Sequence, residues 1–189
     1  MARPNLDDYA EPRRSEADWD ARRGALTDQL GWLIDEADAL GPLLAPLPEE
    51  VLVTAPLPGE KSVVATLALL AALDRGVRTT RIAAFADESA ALSFDAPDEI
   101  ALLPPDADSR PLDEVLERVK ANRRALLDAL GTVPDAAWHR EATLDGETLT
   151  LFDLALQIAR RDADELRTLA YRLHEARLSD RVPPSQKPA

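Results

Sequence analysis

Gln157, Arg161 and Glu165 recur at four-residue spacing in the long stretch that follows Thr150. On a helix all three fall close to one stripe. An amide, a guanidinium and a carboxylate in a row can hold a small anion. They can also close on one another, since Arg161 and Glu165 are i, i+4 neighbours and can pair. In bundle proteins a stripe of this spacing is where histidines often hold a metal; this one carries none. Asp162 adjoins the stripe, and the helix register should bring an earlier apolar helix, near Leu69 to Asp74, against it. The candidate pocket is therefore Asp74, Gln157, Arg161, Asp162 and Glu165. It is expected either to bind a small anionic ligand on Arg161 or to be filled by a salt bridge, because a deep charge must be paired or is very costly.

Other chemistries find little support. The chain has no cysteine, which removes thiolate nucleophiles, disulfides and Cys-based metal sites. His139 and His174 are the two histidines. They are far apart in sequence and lack the partner groups that general acid–base or metal chemistry requires. There is no Gly-rich phosphate loop, no G-x-S-x-G and no His-Glu-x-x-His. A net charge of −13 without a Lys/Arg-rich stripe argues against nucleic acid as a partner. Arg22-Arg23 and Arg123-Arg124 read as solvated helix faces. Trp32 falls off the apolar seam of its helix, which suits either a partner subunit, making a homodimer, or a surface groove.

The elements that must position these residues are helical. Leu and Ala carry the core, aromatics are only 4% and β-branched residues are sparse. Residues 1–14 read as a flexible arm, 15–179 as the domain and 180–189 as a disordered tail. Ser15 with Asp18 forms a capping box. Leu26, Leu30, Leu33, Ala37, Leu40 and Leu44 then make a heptad-like seam on a helix from about 16 to 40, which Gly41-Pro42 should stop. The proline-rich stretch 44–60 is expected to be irregular. A second helix starts near Ser62 and runs to about Ser89, with Val63, Leu67, Leu70, Asp74, Val77 and Arg81 on one stripe. A long connection over 92–109 reads as a crossover or a lid. Ser109 should cap the third helix, whose seam is Leu112, Val115, Leu116, Val119, Leu126 and Leu130, with Gly131 in the left-handed position after it. Asp145-Gly146 marks a tight turn, and Thr150 with Asp153 caps the fourth helix. Trp138 should pack on the bundle end. Four such helices make an all-α four-helix bundle. The N-terminus lacks the apolar region of a secretory signal and the longest apolar run is too short to span a bilayer, so a cytoplasmic location and no membrane partner are expected.

The order and content of these blocks resemble the DinB-like superfamily of four-helix bundles, related to the metal-dependent thiol S-transferases. The resemblance covers roughly 16–176 and rests on PLPGEKSVVATLALLAALD, on VPDAAW and on DGETLTLFDLALQIARRDADEL. It implies a DinB-like bundle with a long crossover loop between its second and third helices. It also implies that the family's metal-ligand positions fall on Leu69, Gln157, Arg161 and Glu165, and the family Trp position on Lys61. Leucine offers no ligand atom and arginine is a permanent cation. The expectation is thus a degenerate metal site, no metal or other cofactor, no assigned catalytic residue and a protein that is not a metal-dependent enzyme. By family analogy its role would be small-ligand binding or a stress- or DNA-damage-linked function. The alternatives are a metal-dependent hydrolase or thiol S-transferase using displaced carboxylates such as Asp74, Asp162 and Glu165, and a dimeric interaction module.

Overall fold

Apolar residues at three- and four-residue spacing put one continuous stripe on each long helix, and burying four such stripes against one another builds the bundle. The computed structural model describes residues 16–181 apart from Pro58. The first long helix is α1, Glu16–Leu44, followed by the short α2, Glu49–Val53. The second runs through α3, Val63–Leu73, a single π-helical turn, Asp74–Arg78, and α4, Thr79–Ala86. After a crossover that contains α5, Glu99–Leu102, come α6, Leu112–Gly131, and α7, Leu151–Arg181. Round the bundle the order is α1, α6, α3–α4, α7, so α1 lies diagonally across from α3–α4 and α6 from α7. This is a four-helix bundle.

Two helix starts stand where expected, one of them with the cap expected of it. Ser62 accepts the Ala65 N–H at 2.9 Å and so caps α3. Thr150 and Asp153 satisfy each other's backbone N–H groups at 2.8 and 3.3 Å ahead of α7. The Ser15 cap, the 1–14 arm and nearly all of the 180–189 tail lie outside the described residues.

Elsewhere packing and turn chemistry override the sequence expectation. Helix α1 does not stop at Gly41-Pro42 but runs on to Leu44, which is fully buried in the lower core and holds the last turn in place. Residues 49–53 of the proline-rich stretch form α2, anchored by buried Leu52. Pro111, not Ser109, stands at the N-cap of α6, and the Ser109 hydroxyl donates to the Asp106 carbonyl instead. Gly131 ends α6 without a positive φ. The second long helix ends at Ala86, short of Ser89, where Arg140 donates to the Phe85 and Asp87 carbonyls at 2.7 and 2.8 Å and satisfies that end.

A small sheet closes one end. Strand β2, Glu141–Leu144, pairs antiparallel with β3, Glu147–Thr150, and parallel with β1, Ser93–Phe94, from the crossover. The Asp145-Gly146 turn has φ of 52° and 85°, the two left-handed residues that a tight two-residue hairpin needs. Beside the sheet, Trp138 is buried as expected and meets Trp19 edge to face at 6.3 Å. The hydrophobic core is in two parts. One, near the sheet, includes Leu26, Leu30, Phe85, Leu126 and Phe152. The other, at the far end, includes Leu33, Leu44, Leu67, Val119 and Leu169. Among the described residues no helix is long and apolar enough to cross a membrane.

Candidate functional site

Four charged side chains separate the two halves of the core: Asp74, Arg78, Arg123 and Asp162, each with 5% or less of its surface exposed. Arg123 reaches all three other long helices. Its Nε donates to Asp74 Oδ2 at 2.8 Å, its Nη1 to the Leu30 carbonyl at 3.0 Å and its Nη2 to Asp162 Oδ2 at 2.6 Å. Arg78 Nη1 donates to Asp74 Oδ1 at 2.7 Å and lies 2.9 Å from Asp162 Oδ1. Two positive and two negative charges balance, which such a depth requires. Burial works against the charge on Arg123, but Asp162 and Asp74 outweigh it and raise its pKa.

The π turn sets this layer. Its i→i+5 bonds insert one extra residue into the helix. Before it, Val63, Leu67, Leu70 and Asp74 are buried at the expected register; after it the buried residues are Arg78 and Ile82, not Val77 and Arg81. The expected stripe is thus corrected by one position from Asp74 onward. That shift brings Arg78 inward to face Asp74 and Asp162.

The expected pocket divides. Asp74 and Asp162 do meet, but with Arg78 and Arg123 rather than with Arg161. Arg161, two-thirds buried, pairs with Glu99 of α5 at 2.5 Å, not with Glu165. Lys61 lies 3.5 Å from the same Glu99. Burial alone would raise the Glu99 carboxyl, but the hydrogen bond and charge of Arg161, with Lys61 beside it, hold it below its usual range. Gln157 is exposed, Glu165 half-buried and Leu69 buried. A helical stripe turns its members to successive directions only slightly apart, yet one residue on, at Asp162, the direction changes by about 100°. Arg161 therefore faces the crossover while Asp162 faces the core.

Sequence reasoning missed Arg78, Arg123 and Glu99. Arg123 is not on a solvated face, as its Arg-Arg pair suggested; Arg124 is the exposed one. The signal for Arg123 was the gap in its own seam, since Val119 and Leu126 leave the intervening inward position to it. Glu99 sits in a short loop helix and carried no comparable signal.

A groove of about 420 Å³ opens between α1 and α7. Arg123 and Asp162 form its floor, and Gln29, Trp32, Glu36 and Leu166 are among its walls. This is the surface groove that the off-seam position of Trp32 allowed, and it lies between the first and last long helices rather than between the second and the last. His139 is distant from it, stacked on Trp19 at 4.6 Å.

The metal-ligand positions implied by the resemblance do not fit a metal. Leu69 has no donor atom, and Arg161 brings a fixed cation that is already paired. Among the described residues no three His, Cys, Asp or Glu side chains are grouped so as to hold an ion. Asp74 and Asp162 do not replace them, because guanidinium groups already occupy their oxygens.

No family model matches the chain, and no curated protein matches it. Among solved structures it is similar to YfiT from Bacillus subtilis, described as a probable metal-dependent hydrolase with an unusual four-helix bundle topology. The match covers 85% of this chain and 93% of that one, with a TM-score of 0.62 and 16% identity. At that identity the likeness establishes the fold.

Proposed function

We propose that the chain is a DinB-like bundle that works without a metal and binds a small molecule in the groove between α1 and α7. The observation that carries this reading is the groove's floor: two buried charged side chains, Arg123 and Asp162, that line a cavity of about 420 Å³. That volume lies in the range of small-molecule sites, and mostly apolar walls with a few fixed polar groups are what such sites use. The floor is pre-organised, because Arg123 is locked by bonds to three other helices. YfiT is described as a probable metal-dependent hydrolase, and the residues at the metal-ligand positions implied by the resemblance, Leu69, Gln157, Arg161 and Glu165, give such chemistry no support here.

Two measurements test the proposal. Elemental analysis of the purified full chain is expected to find no stoichiometric zinc or nickel; one firmly held ion per chain overturns the metal-free reading. Amide NMR shifts on adding a mixture of small aromatic fragments are expected to cluster on Gln29, Leu33, Ala159, Ala163 and Leu166. Shifts scattered over the surface overturn the groove reading.

A further inference from the structure

The floor of the groove and its α1 wall hold one donor and one acceptor that the fold leaves unused. A guanidinium carries five N–H groups. Arg123 directs its Nε–H and one Nη2 N–H to Asp74, the other Nη2 N–H to Asp162 and one Nη1 N–H to the Leu30 carbonyl. The second Nη1 N–H has no acceptor among the described residues. The bond to Leu30 sets Nη1 against α1, one residue along the chain from Gln29. Gln29 lines the same groove, and among the described residues nothing donates to its buried Oε1. A buried polar atom without a partner is costly, so each of the two favours a ligand that completes it. The other polar side chains of the groove are engaged. Both Asp162 oxygens lie against guanidinium groups, at 2.9 Å from Arg78 and 2.6 Å from Arg123. Glu36 and Trp32 have partners within the chain, and Arg167 donates to Asp164 at 2.7 Å.

We infer that the groove takes a small neutral molecule that carries an amide, a C=O beside an N–H, on an apolar body. This rests on the groove being a ligand site. The amide oxygen would accept from Arg123 Nη1, and the amide N–H would donate to Gln29 Oε1. Leu33, Ala159, Ala163 and Leu166 offer an apolar wall for the body of the ligand. Charge balance favours a neutral molecule. The two carboxylates and two guanidinium groups of the buried layer already sum to zero, so a charged ligand of either sign would set an uncompensated charge beside them. A carboxylate would also bring no donor for Gln29, and an ammonium no acceptor for Arg123. The ligand is thus neutral where the stripe at Arg161 suggested an anion, and it lies at a different place.

The test uses three probes of similar shape, N-methylbenzamide, methyl benzoate and benzoate, titrated calorimetrically into the full chain. The ester keeps the carbonyl but has an oxygen in place of the N–H, and benzoate adds a charge. N-methylbenzamide is expected to bind about tenfold more tightly than either of the others, a difference of about 1.4 kcal/mol, because a site that bonds an N–H rejects the analogue lacking it. Gln29→Leu should bring the amide down to the affinity of the ester. Ala170 is an exposed residue of the groove wall, and Ala170→Trp, which fills the cavity from the rim, should abolish binding of the amide. The ester or benzoate binding as tightly as the amide, or an amide preference that survives Gln29→Leu, overturns the amide assignment; where Ala170→Trp still blocks binding, the groove remains a ligand site. Binding of the amide unchanged by Ala170→Trp, or no binding by any probe, overturns both.

Discussion

Two charge clusters in this bundle use the same groups to different ends. Asp74, Arg78, Arg123 and Asp162 are held between the core halves with side chains no more than 7% exposed. Lys61, Glu99 and Arg161 join the crossover to α3 and α7 with side chains 31–36% exposed. Burial decides the difference. In the inner layer each charge has lost its water, so every partner is obligatory and the geometry is fixed. In the outer cluster water can replace any partner, so the contacts locate α5 without committing the fold to it. The inner layer is therefore better read as specifying which helix meets which, and at what height, than as a source of net stability. Arg123 alone touches α1, α3–α4 and α7 from its place on α6.

The sharpest way to break the contrast is Arg123→Met, which leaves two buried carboxylates facing only Arg78. Urea unfolding should show a loss of about 3–5 kcal/mol. Replacing the whole layer, with Asp74→Leu, Arg78→Met, Arg123→Met and Asp162→Leu together, should recover that loss and end between the wild-type stability and about 1–4 kcal/mol above it. If the layer specifies register, the amide NMR spectrum of that variant should broaden or split even where its stability is regained. A double-mutant cycle on Glu99→Gln and Arg161→Gln should give a coupling of only about 0.2–1 kcal/mol, and less in high salt.

The smallest effect concerns acid. The Glu99 carboxyl is held below the ordinary glutamate value of 4.5, so the unfolded chain takes up its proton first as pH falls. Its contribution is then fully present above that value and is lost as pH drops through the lower folded-state value. Glu99→Gln should flatten the acid limb of stability in that window only, measured by thermal melts from neutral pH downward. An unchanged limb would mean that the Arg161–Glu99 contact is not formed in solution.

Much of this was legible in advance. The seams of α1 and α6, the helix start near Ser62, the cap at Thr150 and the Asp145-Gly146 turn depend on local chemistry, and each stands where its residues place it. Asp74 and Asp162 fall together because the helix register brings the second helix, near Leu69 to Asp74, against the fourth. Their true partners were harder. Arg123 could be inferred only by treating the gap between Val119 and Leu126 as an occupied inward position, against the ordinary tendency of an Arg-Arg pair to face water. Arg78 depended on a change of helical register that no propensity predicts, since π turns are stabilised by tertiary contacts. Glu99 depended on where a long crossover folds back, which is set by packing at long range. The helices past Pro42 and at 49–53 were missed because buried leucines outweighed the local prolines.

The extra residue in the π turn also makes that one turn decide which face the rest of the helix presents. Forcing 74–78 into unbroken α-helix at unchanged chain length would swing all that follows by about 100°. Ile82 would then turn off the buried stripe and Arg81 onto it, whereas removing one residue there would restore α-helix and keep Ile82 on its face. Adding residues to the crossover after Ala86 would cost little by comparison, because loop closure grows only slowly with length. Among related chains, then, gaps should accumulate in that crossover, and a one-residue gap within 74–78 should go with a regular α-helix there.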